Sequence, residues 1–169
     1  ERTTLGGSHY RLLDAPFSPK PLQDPLPITI GGAGKKGLLS LVARFASRWN
    51  CPMPDAHRMA ELIEALDRHC TDNGRDRREI SISEQTAVVV GRDRGEVAAK
   101  HELAKTMIGG FVDLATMAVI GTPEEVARGL EAKTNVGVDD FAILFGDFAM
   151  EDTLEVFASE VIPALRHGR

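Results

Sequence analysis

Hydrophobic and polar positions along the chain fall into short blocks that switch between two periods. Ile28-Thr29-Ile30 is an apolar, β-branched run that stops at Gly31-Gly32-Ala33-Gly34 and predicts a buried strand. A helical period follows over about residues 35–47, with Leu38, Val42 and Phe45 on one stripe and Leu39 and Ala46 beside it. Arg48-Trp49-Asn50-Cys51 reads as a short strand that Pro52 and Pro54 close. From about 55 to 72 the period is helical again. It buries Met59, Leu62, Ile63, Leu66 and Cys70 and stops at Asn73-Gly74. Residues 80–90, ISISEQTAVVV, alternate at first and end as an apolar run, which predicts a strand. Asp93-Arg94-Gly95-Glu96 fits a capping box, opening a helix to about 108. Gly109-Gly110 loosens the chain, and 111–120 is ambiguous, with a short helix favoured. Thr122-Pro123-Glu124-Glu125 is a helix start with Thr at the cap, Pro at the first position and Glu at the third. That helix reaches about 134. DFAILF at 140–145 predicts a buried strand, and a last helix over about 151–166 buries Leu154, Phe157, Val161 and Leu165.

Residues 1–27 differ from the rest. Pro16, Pro19, Pro21, Pro25 and Pro27 break any long element, leaving a short extended piece near His9–Leu13 and an irregular tether. The body, 28–169, reads β-α-β-α-β-α-α-β-α, with neither an internal repeat nor a low-complexity tract. Strands alternating with helices predict an α/β fold with a parallel sheet. Four strands do not close a barrel, which takes about eight.

Composition narrows the function more than the fold. In 169 residues, 43% hydrophobic and 27% charged are the proportions of an ordinary globular domain. A formal net charge of −5 lacks the basic face that nucleic-acid binding needs. No apolar run approaches the ~20 residues of a membrane helix. The first residues, ERTTLGGSHY, hold no apolar core of a signal peptide. Cys51 and Cys70 have no metal-ligand spacing, and they read as reduced thiols of a cytoplasmic protein. His9, His57, His69, His101 and His167 are scattered without a paired motif, so no metal site is expected.

The candidate chemistry lies in the turn after Ile30. Gly32, Gly34 and Gly37 spell G-x-G-x-x-G, the dinucleotide fingerprint of an NAD(P)-binding Rossmann domain. That fold also wants an acidic residue at the end of the second strand. Asp55 is near the right distance but lies beyond two prolines, where a helix cap accounts for it. The other reading is a (β/α) barrel, whose active-site groups sit at the carboxyl ends of the strands. Those ends are Gly31–Gly34, Trp49-Asn50-Cys51, Val90-Gly91-Arg92 and Gly146-Asp147. The glycine turn would then aim backbone N–H groups at an anion, and Lys35 and Lys36 either add charge or stand in solvent.

The segments PKPLQDPLPITIGGAGKKGLLSLVARFASRWN, LDRHCTDNGRDRREI, VIGTPEEVARGLEA and VGVDDFAILFGD, in that order and spacing, resemble the carboxyl-terminal half of luciferase-like monooxygenases, and most closely their coenzyme F420-dependent oxidoreductase branch. The resemblance implies a (β/α)8 TIM-type barrel of about twice this length, of which this chain carries strands five to eight. It implies that Gly31, Gly32, Ala33, Gly34 and, less firmly, Lys35 and Lys36 contact the phosphate or ribityl tail of coenzyme F420, with FMN as the alternative. Trp49 and Asn50 are candidates for the same site. Packing is the favoured role for Trp49, whereas Asn50 is balanced between cofactor donor and cap. The family's reacting-centre residues belong to strands one to four, so no catalytic residue is carried over.

Asp147 reads as a loop aspartate, and Thr122–Glu125 as a helix cap without further function. His9 and Tyr10 read as surface packing. Two functions of different kind follow. One is a flavin- or deazaflavin-dependent oxidoreductase or monooxygenase acting on a small-molecule substrate. The other is a non-catalytic half-barrel, an assembly module or remnant, that pairs as a homo-oligomer or with a complementary barrel half.

Overall fold

The computed structural model describes the backbone of residues 2–167. A hairpin comes first, β1 (Arg2–Gly6) and β2 (Arg11–Pro16), antiparallel and separate from the main sheet. The main sheet holds β3 (Thr29–Gly31), β4 (Arg48–Cys51), β5 (Ser81–Val90), β6 (Ala118–Gly121) and β7 (Asp140–Phe145), and all its pairs are parallel. The connecting helices are α1 (Leu38–Phe45), α2 (Met59–Asp72), α3 (Arg94–Met107), α4 (Leu114–Met117) and α5 (Pro123–Thr134). After β7 come α6 (Glu151–Val156), a π-helical turn over Phe157–Val161 and α7 (Ile162–His167).

β5 is paired along both edges. β7 takes one edge from Ser83 to Val88. The other is shared, by β4 along Ser81–Glu84 and by β6 along Ala87–Val90. Across the sheet the principal strands therefore run β3-β4-β5-β7, in chain order. A dinucleotide-binding Rossmann sheet reverses its strand order at a switch point. Among these four strands no such reversal occurs, only the short β6 turning back to the β4 edge of β5, and Asp55 lies in a 3₁₀ turn beside Arg58, 3.4 Å away. The Rossmann alternative is thus corrected to the singly wound order of a barrel wall.

The parallel register assigns the two faces. Ile30, Trp49, Ile82, Glu84, Val88 and Phe141 point to the layer of helices. Under α1 and α2 they meet Leu39, Val42, Leu62 and Leu66, all fully buried. Under α5 and the carboxyl-terminal helix they meet Val126, Leu130, Val156 and Val161. Gly31, Asn50, Ser83, Gln85, Ala87, Ala142 and Leu144 point to the opposite, inner face. A third cluster covers only its carboxyl end, where Ile108, Val112 and Leu114 lie on Ala87 and Val89.

Two expectations change. Residues 118–121 form a strand, where a short helix was favoured over 111–120; only Leu114–Met117 is helical. β4 pairs that edge of β5 only as far as Glu84, and Val119 and Ile120 suit a strand that satisfies the groups left over at Ala87–Val90. The α1 stripe is rotated by one residue. Leu39, Val42, Ala43 and Ala46 face inward, while Phe45 is 54% exposed beneath the Arg44 guanidinium. Leu154, also expected inside, is exposed.

One charge lies within the helix-facing layer. Glu84 is 1% exposed, and its carboxylate accepts from Lys133 Nζ of α5 at 2.5 Å. Removing one partner of such a pair strands the other charge in a low dielectric. Lys133→Met is therefore expected to lower the unfolding free energy by about 3–5 kcal/mol in urea titration. A loss under about 1 kcal/mol would contradict this role for the pair.

Candidate functional site

The turn after β3 is held from three sides. Gly32 donates its N–H to the Asn50 carbonyl at 3.0 Å, continuing the ladder one residue past the strand. Its own carbonyl accepts the indole N–H of Trp49 at 2.7 Å. Gly32 has φ +129°, a conformation that side-chain-bearing residues rarely adopt, and a Cβ there would lie 2.8 Å from Leu38. Gly34 closes the turn by accepting from the Leu39 N–H at 3.1 Å. Among the described residues, no protein acceptor takes the N–H groups of Ala33, Gly34, Lys35, Lys36 or Gly37. These free donors precede α1, where the helix dipole also favours negative charge.

The two lysines have different surroundings. Lys35 Nζ is engaged by Glu61 of α2, and its carbonyl accepts from His69 Nε2 at 2.7 Å. The Lys35 ammonium beside Glu61 holds that carboxyl below its usual range. Lys36 is exposed and makes no ion pair among the described residues. Trp49 is fully buried, so it acts on the turn from behind, through its N–H. Asn50 is half-buried on the inner face beside Gly31, and its amide donates to Ser83 Oγ at 3.1 Å. Gly31 itself ends β3, exposed on that face.

At the same end of the sheet, over β5 and β7, lies a cavity of about 430 Å³. Met53, Phe111, Val112, Met117 and Leu144 line it, with Gln85 on its sheet side. The residues from 108 to 117 roof it, and α3 carries that roof. A buried polar chain anchors α3. Asp147, two residues past β7, accepts from Thr153 Oγ1 at 2.5 Å, and Thr153 Oγ1 accepts in turn from Lys100 Nζ of α3 at 2.5 Å. Gly146 permits the contact, because a Cβ there would stand 2.7 Å from the Ala104 Cβ. Asp147 therefore serves the fold next to the cavity and does not line it.

The cavity residues were not singled out by sequence. The available signal was the alternation in ISISEQTA. Ser81, Ser83 and Gln85 share one face of a strand whose other face, Ile82 and Glu84, meets helices. Polar groups at period two in a covered strand mark a second environment on the opposite face.

Residues 1–113 match the family described as luciferase-like monooxygenase. No curated protein matches the chain by sequence. Three solved structures illustrate the likeness. An F420-dependent secondary alcohol dehydrogenase in complex with an F420-acetone adduct has TM-score 0.76 at 18% identity, over 98% of this chain and 56% of that one. A coenzyme F420-dependent tetrahydromethanopterin reductase from Methanopyrus kandleri has TM-score 0.73 at 15% identity, over 96% of this chain and 58% of that one. A riboflavin lyase with modified FMN and riboflavin has TM-score 0.71 at 16% identity, over 99% of this chain and 48% of that one. The chain thus spans about half the length of the structures it matches, and its α/β sheet is that of half a (β/α)8 barrel. Among the described residues, no helix is long and apolar enough to cross a membrane.

Cys51, at the end of β4, carries no nucleophilic thiolate. Burial, reinforced by the Glu84 charge, pushes its thiol up from 9.0 to about 12. Between those values the unfolded chain releases a proton that the folded chain keeps, so stability falls as the pH rises. Urea midpoints are expected to drop over this alkaline window, and Cys51→Ala is expected to flatten the drop. An equal slope in both proteins would contradict the buried, protonated thiol.

Proposed function

The chain belongs to the luciferase-like monooxygenase family, and from that premise we propose that it supplies the phosphate-holding half of a flavin- or deazaflavin-dependent oxidoreductase. The observation that carries this reading is the run of unpaired N–H groups from Ala33 to Gly37, at the carboxyl end of β3 and on the same rim as the cavity. The residues fit an anionic tail. Gly31 and Gly34 put no side chain in the way, and no acidic side chain belongs to the turn itself. Lys36 is free to add charge, whereas Lys35 is tied to Glu61 and shapes the turn instead. When bound, the cofactor supplies the hydride chemistry. The chain's own part is to fix one end of it, with the Trp49 indole N–H and the Asn50 backbone carbonyl holding the turn at Gly32.

Coenzyme F420 is the preferred cofactor, on the sequence resemblance, and FMN the alternative; neighbours of the same fold carry one or the other in their names. The substrate is a small organic molecule in the cavity. The outer edges of β3 and β7 have no partner strand among the described residues, and much of the inner face is bare. Exposed edges of this kind invite pairing. In the working molecule we infer that a complementary barrel half, or a second copy of the chain, covers them.

Two measurements test these readings. Gly34 tolerates a Cβ, whose nearest neighbour would be Leu38 Cβ at 3.5 Å, so Gly34→Ala and Gly34→Glu are both expected to fold. In calorimetric titration with F420 and with FMN, Gly34→Ala is expected to bind within about threefold of the parent, and Gly34→Glu at least about a hundredfold more weakly. Equal affinity in Gly34→Glu would refute the phosphate site. For the assembly, light scattering after size exclusion is expected to give a dimer at micromolar concentration. A stable monomer would remove self-pairing as the means of covering the edges.

A further inference from the structure

We propose that His69 of α2 is a positioning residue for the glycine turn: by holding the Lys35 carbonyl it aims the Lys36 N–H at the bound anion, without touching that anion itself. This role rests on the phosphate-site reading above and adds to it a side chain from outside the turn.

In a planar trans peptide the C=O of one residue and the N–H of the next point in opposite directions. Whatever pins a carbonyl of the turn therefore also aims the N–H that follows it. Three carbonyls are pinned. The Gly32 carbonyl accepts from the Trp49 indole at 2.7 Å, the Gly34 carbonyl from the Leu39 N–H at 3.1 Å, and the Lys35 carbonyl from His69 Nε2 at 2.7 Å. The N–H groups aimed in this way belong to Ala33, Lys35 and Lys36, three of the five that no protein acceptor takes. Trp49 is a core residue and the Leu39 N–H is part of α1, whereas His69 is only half-buried. Lys36 is exposed, so its own side chain does not fix the peptide that precedes it. Rotation of that peptide would turn the Lys35 carbonyl oxygen, a partial negative charge, to where the N–H now points. The bond to His69 opposes this rotation.

The sequence of α2 places the imidazole there. Leu62, Leu66 and Cys70 sink into the core shared with α1, which sets the rotation of the helix. Glu61, Ala65 and His69 follow at four-residue intervals and stand in one row along it. Lys35 is held at both ends of this row, its ammonium by Glu61 and its carbonyl by His69. Asn73 secures the last turn by donating from Nδ2 to the His69 carbonyl at 2.7 Å. Among the described residues the Lys35 carbonyl is the one protein partner of the imidazole ring. A carbonyl only accepts, so His69 carries its proton on Nε2.

The test compares the 169-residue chain with His69→Phe and His69→Leu, which lose the donor, and with His69→Gln, whose amide nitrogen restores one. Either donor-less variant suffices, provided that it keeps the parent's fold. Sulfate, a tetrahedral dianion, is titrated at fixed pH and ionic strength and followed by amide NMR. In the parent it is expected to move the signals of Ala33, Lys35 and Lys36 together. In the donor-less variant the Lys36 signal is expected to stay in place while that of Ala33 still moves, and sulfate affinity to fall about tenfold. In His69→Gln the Lys36 response is expected to return, with affinity within about threefold of the parent. Sulfate that leaves Lys36 in place in the parent, a Lys36 signal that moves as far in the donor-less variant, or a His69→Gln that fails like it would each overturn the proposal. F420 and FMN are titrated into the same proteins. Sulfate behaving as expected while neither cofactor binds condemns the cofactor reading alone. A cofactor that binds every variant alike and moves Lys36 in each condemns the role of His69 alone.

Discussion

The pairing of β5 along both edges is the constraint from which the rest of the structure follows. Its ten residues are long enough for β4 and β6 to share one edge while β7 occupies the other. Parallel strands in chain order require each connection to cross over the sheet, and the favoured hand of that crossover is the same each time. The crossover helices α1, α2, α5 and the carboxyl-terminal helix therefore collect on one face. The carboxyl ends of the strands align at one rim. The glycine turn after β3 and the cavity over β7 share that rim for this topological reason, though Leu144 of the cavity lies 110 residues beyond Gly34.

Charges are placed to support this layout. On the inner face Asp140 gathers Arg48 and Ser81, joining β4, β5 and β7 at the bottom of the wall. Asp139 accepts from the Ile82 N–H and fixes the entry into β7. At the rim, Asp147, Thr153 and Lys100 tie α3 to the end of β7, and α3 leads into the roof residues Ile108 and Val112. These carboxylates are structural members. The rim itself keeps its free donors in the backbone, where they cannot be neutralised by a rotamer change.

Much of this was legible in the residues. Local signals carried the elements well where one face is buried and the other wet. TIG, RWNC and DFAILF are strands, and Asp93 caps α3 by accepting from Gly95 and Glu96. The Asp147 loop reading also agrees with its capping bonds to Ala149 and Met150. What failed depended on distant partners. Ala118–Gly121 is a strand only because β5 offers an open edge. The hairpin of β1 and β2 pairs two exposed stretches that have no apolar alternation to announce them. The Gln85 cavity needs α3, which begins nine residues later, to fold its far end back over the inner face. In each case the decisive contact is long-range, and no window of the sequence contains both sides of it.

The central claim is that the backbone of residues 33–37 is the anion-binding element of this family member. Amide proton–nitrogen NMR spectra of the chain, recorded with rising F420, test it most directly. The account predicts that the signals of Ala33, Gly34, Lys35, Lys36 and Gly37 move furthest downfield, as free N–H groups acquire a charged acceptor. Saturable binding that moves other amides and leaves these five in place would contradict it.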